Sequence, residues 1–125
     1  MTSYILDVTS VSPFSKNKPR QAIVLCHGYG GDGKDISTLA INWRRFLPDA
    51  IFLWPNAPEV CADNPQGYQW FDMTSKKEEM MFKNSLAAAE KLNTFLDQVV
   101  NNFQLESSRL ALVGFSQGCM ISIQA

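Results

Sequence analysis

Along this chain, short unbroken apolar runs alternate with longer stretches in which apolar residues return every three or four positions. The runs are residues 22–26 (Ala-Ile-Val-Leu-Cys), 50–54 (Ala-Ile-Phe-Leu-Trp) and 110–113 (Leu-Ala-Leu-Val). A run this short without a polar interruption suits a strand buried on both faces, as in a parallel sheet. Between the first two runs, Ile36, Leu39, Ala40, Trp43, Phe46 and Leu47 recur at helical spacing, and Pro48 marks the stop. Between the second and third, Phe82, Leu86, Ala89, Leu92, Phe95, Leu96, Val99, Val100 and Phe103 form one apolar stripe of a long helix. Ser75 and Glu78 have capping-box spacing at its start, and Asn101 and Asn102 suit its end. Residues 4–8 read as a first strand. Residues 10–20, rich in Ser, Pro, Asn and Lys, read as a loop. Residues 59–72 read as irregular, with Pro65, Gly67 and the aromatics Tyr68, Trp70 and Phe71.

This order of strands and helices predicts an α/β fold, a mostly parallel sheet with helices on both faces. Ligands in such sheets bind outside the carboxyl ends of the strands. Two glycine-rich segments, 27–33 and 114–118, directly follow strand ends, so both are expected to face one crevice. The chain has no internal repeat and no low-complexity tract.

Composition narrows the picture without redrawing it. The 125 residues suffice for one domain with a real core and not for two. Apolar residues make up 46% and charged residues 18%, as in ordinary globular chains. A formal net charge of −1 provides no basic field for nucleic acid or an anionic membrane. Lys16, Lys18 and Arg20 cluster beside Pro13 and Pro19, which reads as a solvated loop. No basic start leads into a long apolar run, and no apolar run is long enough to span a bilayer. Cys26, Cys61 and Cys119 are odd in number and lack CxxC spacing, which points to free thiols in a cytoplasmic setting.

The chemistry concentrates at 114–118. Gly114-Phe115-Ser116-Gln117-Gly118 fits Gly-x-Ser-x-Gly, between an apolar strand and the start of a helix. A serine on so tight a turn is forced into a strained backbone and lifts its hydroxyl above the sheet. The following helix aims its N-terminus at the same place and favours developing negative charge. Acyl transfer needs donors for a tetrahedral oxyanion. The N–H of Gln117 is one candidate, and the N–H of Tyr29, in the loop His27-Gly28-Tyr29-Gly30, is the other. The bland alternative is a tight turn carrying an incidental serine.

Residues 28–33 also satisfy G-x-G-x-x-G. A dinucleotide site would further want an acidic residue near the end of the next strand, and Leu53-Trp54-Pro55-Asn56 offers none. His27 is the only histidine. It precedes Ser116, whereas hydrolases of this architecture run Ser, then acid, then His. A ring that braces the glycine-rich loop is therefore the expected role.

Five segments in this order are similar to the phospholipase/carboxylesterase family of α/β-hydrolases, which includes the acyl-protein thioesterases. They are residues 25–33 (Leu-Cys-His-Gly-Tyr-Gly-Gly-Asp-Gly), 54–58 (Trp-Pro-Asn-Ala-Pro), 69–72 (Gln-Trp-Phe-Asp), the long helix, and 114–118. The glycine-rich version resembles the bacterial carboxylesterase branch. The resemblance implies hydrolysis of carboxylic esters or thioesters, without metal or organic cofactor. It implies Ser116 as nucleophile and the Tyr29 and Gln117 amides as oxyanion donors. Trp70 either lines the acyl side of the cleft or packs beneath a loop. Asp72 is expected to be a structural hydrogen-bonder. Cys119 stands where the family often has glycine.

The family carries its triad Asp and His on later strands, and the chain ends at Ala125, shortly after Ser116. The expectation is one α/β-hydrolase domain over 1–125, truncated after the nucleophile turn and nearly inactive alone. An unpaired edge at its last strand would invite self-association. A different class of function, a non-catalytic module that binds small molecules in a hydrolase cleft, is the alternative.

Overall fold

The computed structural model describes residues 4–31, 33–72 and 77–125. Four strands form one sheet: β1 (Val8–Val11), β2 (Gln21–Cys26), β3 (Ala50–Pro55) and β6 (Leu110–Gly114). Their order is β1-β3-β2-β6. β2 pairs in parallel with both β3 and β6, and β1 joins antiparallel at the β3 edge. β4 (Glu59–Val60) and β5 (Tyr68–Gln69) form a separate small hairpin. The helices are α1 (Gly33–Trp43), α2 (Glu78–Phe103) and α3 (Gln117–Gln124).

Side chains alternate across a strand, so the unbroken apolar runs must serve two cores. They do. Ala22, Val24 and Cys26 of β2, with Ile51 and Leu53 of β3, meet Leu92, Phe95 and Val99 of α2 and Ile121 of α3. Ile23 and Leu25, with Ala50, Phe52 and Trp54, face the other way onto Ala40 of α1. The sheet is mostly parallel and covered on both faces, as the alternation of elements predicts.

Several local expectations are corrected. The first strand is Val8–Val11, not residues 4–8. Residues 4–7 instead lie across α2: Tyr4 packs its ring on Phe95, and the Ile5 N–H donates to the Gln98 side chain. The loop expected from residue 10 consequently begins after Val11. Phe46 is not on the helical stripe. α1 stops at Trp43, the Phe46 and Leu47 amides turn back to the Trp43 carbonyl, and Phe46 is 81% exposed. Residues 59–72 are irregular except for the β4–β5 hairpin.

The buried face of α2 is Ser85, Ala88, Ala89, Leu92, Phe95 and Val99, a cleaner i, i+3, i+4, i+7 series than the broad stripe expected. Phe82 and Leu86 fall outside it and are exposed. The expected capping box is also corrected: Lys77 is the N-cap of α2 and Glu78 its first residue, so Glu78 does not stand three residues into the helix. Ser75, Asp32 of the glycine-rich segment and the side chain of Ile36 lie outside the described residues.

Candidate active site at the ends of β2 and β6

β2 and β6 are parallel neighbours with Cys26 opposite Gly114. The two segments that leave their carboxyl ends therefore begin side by side. The Phe115 N–H donates to the Cys26 carbonyl at 3.1 Å, one residue past the strand. A Cβ at Gly28 would stand 3.3 Å from the Ser116 Cβ, so the glycine-rich loop passes directly against the serine. The structure thus brings together Ser116, Gln117 and the 27–31 loop, as the sequence predicts.

Ser116 caps the N-terminus of α3 with φ 52° and ψ −116°. A positive φ at a non-glycine residue is costly, on the order of 1–3 kcal/mol, and persists only where the surroundings impose it. Here they do. The Gly118 N–H closes on the Phe115 carbonyl at 2.8 Å and Met120 N–H on the Ser116 carbonyl at 3.1 Å. Gly118 is packed so tightly that a Cβ would run into the carbonyl oxygens of both Cys26 and His27. Ser116 itself is exposed. Gln117 is the first residue of α3, where an amide has no carbonyl of its own helix to bond.

The 27–31 loop is held from two sides. On the inside, His27 is 1% exposed. Its Nε2 accepts the Ala57 N–H at 2.9 Å, which assigns the ring proton to Nδ1, 2.7 Å from the Gly28 carbonyl. On the outside, the hairpin clasps the loop. Gly30 N–H donates to the Tyr68 carbonyl, Tyr68 N–H to the Gly31 carbonyl, and the Asn64 amide to the Gly30 carbonyl. Gly30 takes φ 80° within this turn, a conformation that favours glycine. The Tyr29 hydroxyl donates to Asp63 at 2.9 Å, and that bond to a carboxylate pushes the phenol up from its usual range. The backbone N–H groups of Tyr29 and Gln117 enter none of these bonds.

Trp70 is 1% exposed and stacks on His27 with ring centres 5.6 Å apart. Its indole N–H donates to the His27 carbonyl at 2.9 Å. Gln117 is fully buried, and its side chain accepts the Trp70 N–H and donates to the Phe71 carbonyl, each at 2.8 Å. Sequence reasoning missed this side-chain role of Gln117, and it missed Asp63. A long polar residue among small and apolar ones at the helix start is the available signal. Cys26 lies beneath the turn, and burial pushes its thiol up to about 12, so it stays protonated at neutral pH. Cys119 is exposed on α3.

The phospholipase/carboxylesterase family profile matches residues 9–125. An acyl-protein thioesterase 1 from Schizosaccharomyces pombe is 30% identical over 110 residues, covering 82% of this chain and 47% of the relative. The corresponding protein of Emericella nidulans is 27% identical over 120 residues, covering 85% of this chain and 50% of its own length. Among solved structures, esterase PE8 is 36% identical with a TM-score of 0.86, over 94% of this chain and 55% of that one. A carboxylesterase from Mesorhizobium loti shares the fold at 21% identity and a TM-score of 0.75, over 98% of this chain and 55% of that one. The chain spans about half the length of these relatives.

Proposed function

The chain belongs to the phospholipase/carboxylesterase family, and on that premise we propose that it carries the nucleophile and the oxyanion donors of a serine hydrolase acting on carboxylic esters or thioesters. The observation that carries the reading is the backbone at Ser116. A strained φ of 52° at the N-terminus of a helix, on an exposed serine, has a cost that a merely structural turn does not need.

In this reading the Ser116 Oγ attacks the acyl carbon, and the ester alcohol or thiol leaves from the tetrahedral intermediate. Water then releases the acid from the acyl-serine. The oxygen that becomes negative sits between the Tyr29 and Gln117 N–H groups, close to the positive end of α3. An unassisted hydroxyl is a weak nucleophile, so a general base is required. His27 is not it, because both its ring nitrogens are already engaged in holding the loop. The reading therefore places the base and its acid partner outside residues 1–125. Those residues are one part of a single hydrolase domain.

The exposed Phe115, Met120 and Ile123 beside the β6 edge support self-association when these residues stand alone. Sedimentation that stays monomeric at rising concentration would refute it. Among the described residues no helix is long and apolar enough to cross a membrane. Free thiols at all three cysteines favour the cytoplasm, and a disulfide in the native protein would argue against it.

The test is hydrolysis of p-nitrophenyl butyrate and of an acyl thioester by the native protein. Turnover is expected with both leaving groups, with a burst of product, and is expected to vanish in Ser116→Ala. Turnover that persists in that variant would exclude Ser116 as the nucleophile. No turnover of any ester, by a protein that still binds one, would favour the binding-module alternative.

A further inference from the structure

The two oxyanion donors belong to different segments, and the sheet alone does not set their separation. Pairing between β2 and β6 ends at Cys26 and Gly114, and the Phe115 bond to Cys26 extends it by one residue. Beyond that point the two segments stay packed, Gly28 against Ser116 and Gly118 against the Cys26 and His27 carbonyls, while one leads on toward Tyr29 and the other into α3. An oxyanion site works only if its donors are placed for the transition state in advance, and misplacement by about 1 Å can cost about 10²-fold. That packing limits how closely the segments approach, and directional bonds are needed to hold the Tyr29 amide at a set place relative to the Gln117 amide.

A path of hydrogen bonds does this, buried except at its part-buried last link to the Gly28 carbonyl. From Gln117, the side-chain oxygen takes the Trp70 N–H at 2.8 Å and the side-chain nitrogen donates to the Phe71 carbonyl at 2.8 Å. From Trp70, the indole N–H reaches the His27 carbonyl at 2.9 Å. From His27, Nδ1–H meets the Gly28 carbonyl at 2.7 Å, one residue before Tyr29, while Nε2 is anchored by Ala57 N–H at 2.9 Å. Gln117, Trp70 and His27 are each almost wholly shielded from solvent. Buried bonds of this kind are expensive to leave unmade.

We infer that the Gln117 side chain and the Trp70 indole are positioning groups for the hydrolysis proposed above, forming a buried tie that sets the Tyr29 amide relative to the Gln117 amide. The inference rests on that reading of the site. Gln117 then acts twice: its backbone N–H faces the oxyanion, and its side chain fixes where the opposite donor stands. Trp70 works from beneath the loop and does not touch the acyl chain.

The test uses the native protein with Trp70→Phe, which removes the indole N–H but keeps an aromatic ring, and with Gln117→Met, which keeps the length and removes both bonds. Each variant is assayed on p-nitrophenyl acetate, butyrate and octanoate, with active sites counted by fluorophosphonate titration so that misfolded protein does not enter the rate. Each variant is expected to lower kcat per site by about 10- to 100-fold, with KM within about twofold, equally for all three acyl lengths. The double variant is expected to be little worse than the poorer single one, since both cut one path.

Unchanged kcat per site in Trp70→Phe would overturn the inference. So would a loss in KM that grows with acyl length, which would make Trp70 an acyl contact instead. Should Gln117→Met fail to fold, Trp70→Phe alone decides. A second readout needs no turnover: Trp70→Phe is expected to shift the Tyr29 and Gln117 amide resonances together, and a Tyr29 amide that does not move also overturns the tie. Ester turnover that survives Ser116→Ala would defeat the proposed hydrolase mechanism while leaving this amide measurement to judge the tie.

Discussion

Expressed alone, these 125 residues are expected to turn over p-nitrophenyl butyrate on the order of 10⁶ more slowly than an intact serine hydrolase, by analogy with loss of the base in subtilisin. The reason lies in the single histidine. For His27 to take a proton from Ser116, Nε2 would have to give up the Ala57 N–H, or Nδ1 would have to lose its proton and its bond to the Gly28 carbonyl. Either change loosens the loop that carries the Tyr29 amide. Polarised donors without a base still help, and in the protease case they leave ~10³ to 10⁴ over water. A trace of turnover is therefore compatible with the account. The measurement compares these residues with their Ser116→Ala variant under identical conditions. A Ser116-dependent rate close to that of intact esterases would show that a base exists within them.

Gly118→Ala is expected to unfold these residues or leave them insoluble, with a loss of stability of about 4 kcal/mol or more. The added methyl would meet the carbonyl oxygens of Cys26 and His27, which are backbone atoms at the end of a central strand and cannot swing aside. To make room, α3 would have to lift off β2. That would release Ile121 from the core and break the Gly118 bond to Phe115 that closes the turn. Overpacking in a core typically costs 1–3 kcal/mol, but it assumes neighbours that can adjust. Denaturant titration beside the unsubstituted chain reads the effect directly. A midpoint within experimental error of the parent would mean that the turn is looser than the packing indicates.

The main architecture was legible because each long element obeys a period. Residues 22–26, 50–54 and 110–113 read as strands since a run apolar at every position fits burial on two faces, and the two separate cores bear this out. β1 was misplaced because Thr9 and Ser10 point to solvent on an edge strand, leaving no alternation to find. Phe46 and Phe82 fit the apolar helical spacing yet are exposed, because periodicity counts apolar residues without knowing where a helix stops or which face meets the sheet.

At the site, the turn at Ser116 was legible because its constraint is local: a serine, two close glycines, a strand before and a helix after. The partners of the Gln117 side chain lie 46 and 47 residues away, and Tyr29 meets Asp63 across 34. No spacing rule reaches that far. His27 was placed correctly as a brace by chain order alone, and the structure supplies its partners.

The most direct test of the central claim is to treat the native protein with a fluorophosphonate probe and map the modified peptide by mass spectrometry. The account predicts a single adduct on Ser116, formed in the folded protein, and absent from both denatured protein and the Ser116→Ala variant. A folded protein that takes no probe, or takes it at another residue, would contradict the assignment of Ser116 as the nucleophile.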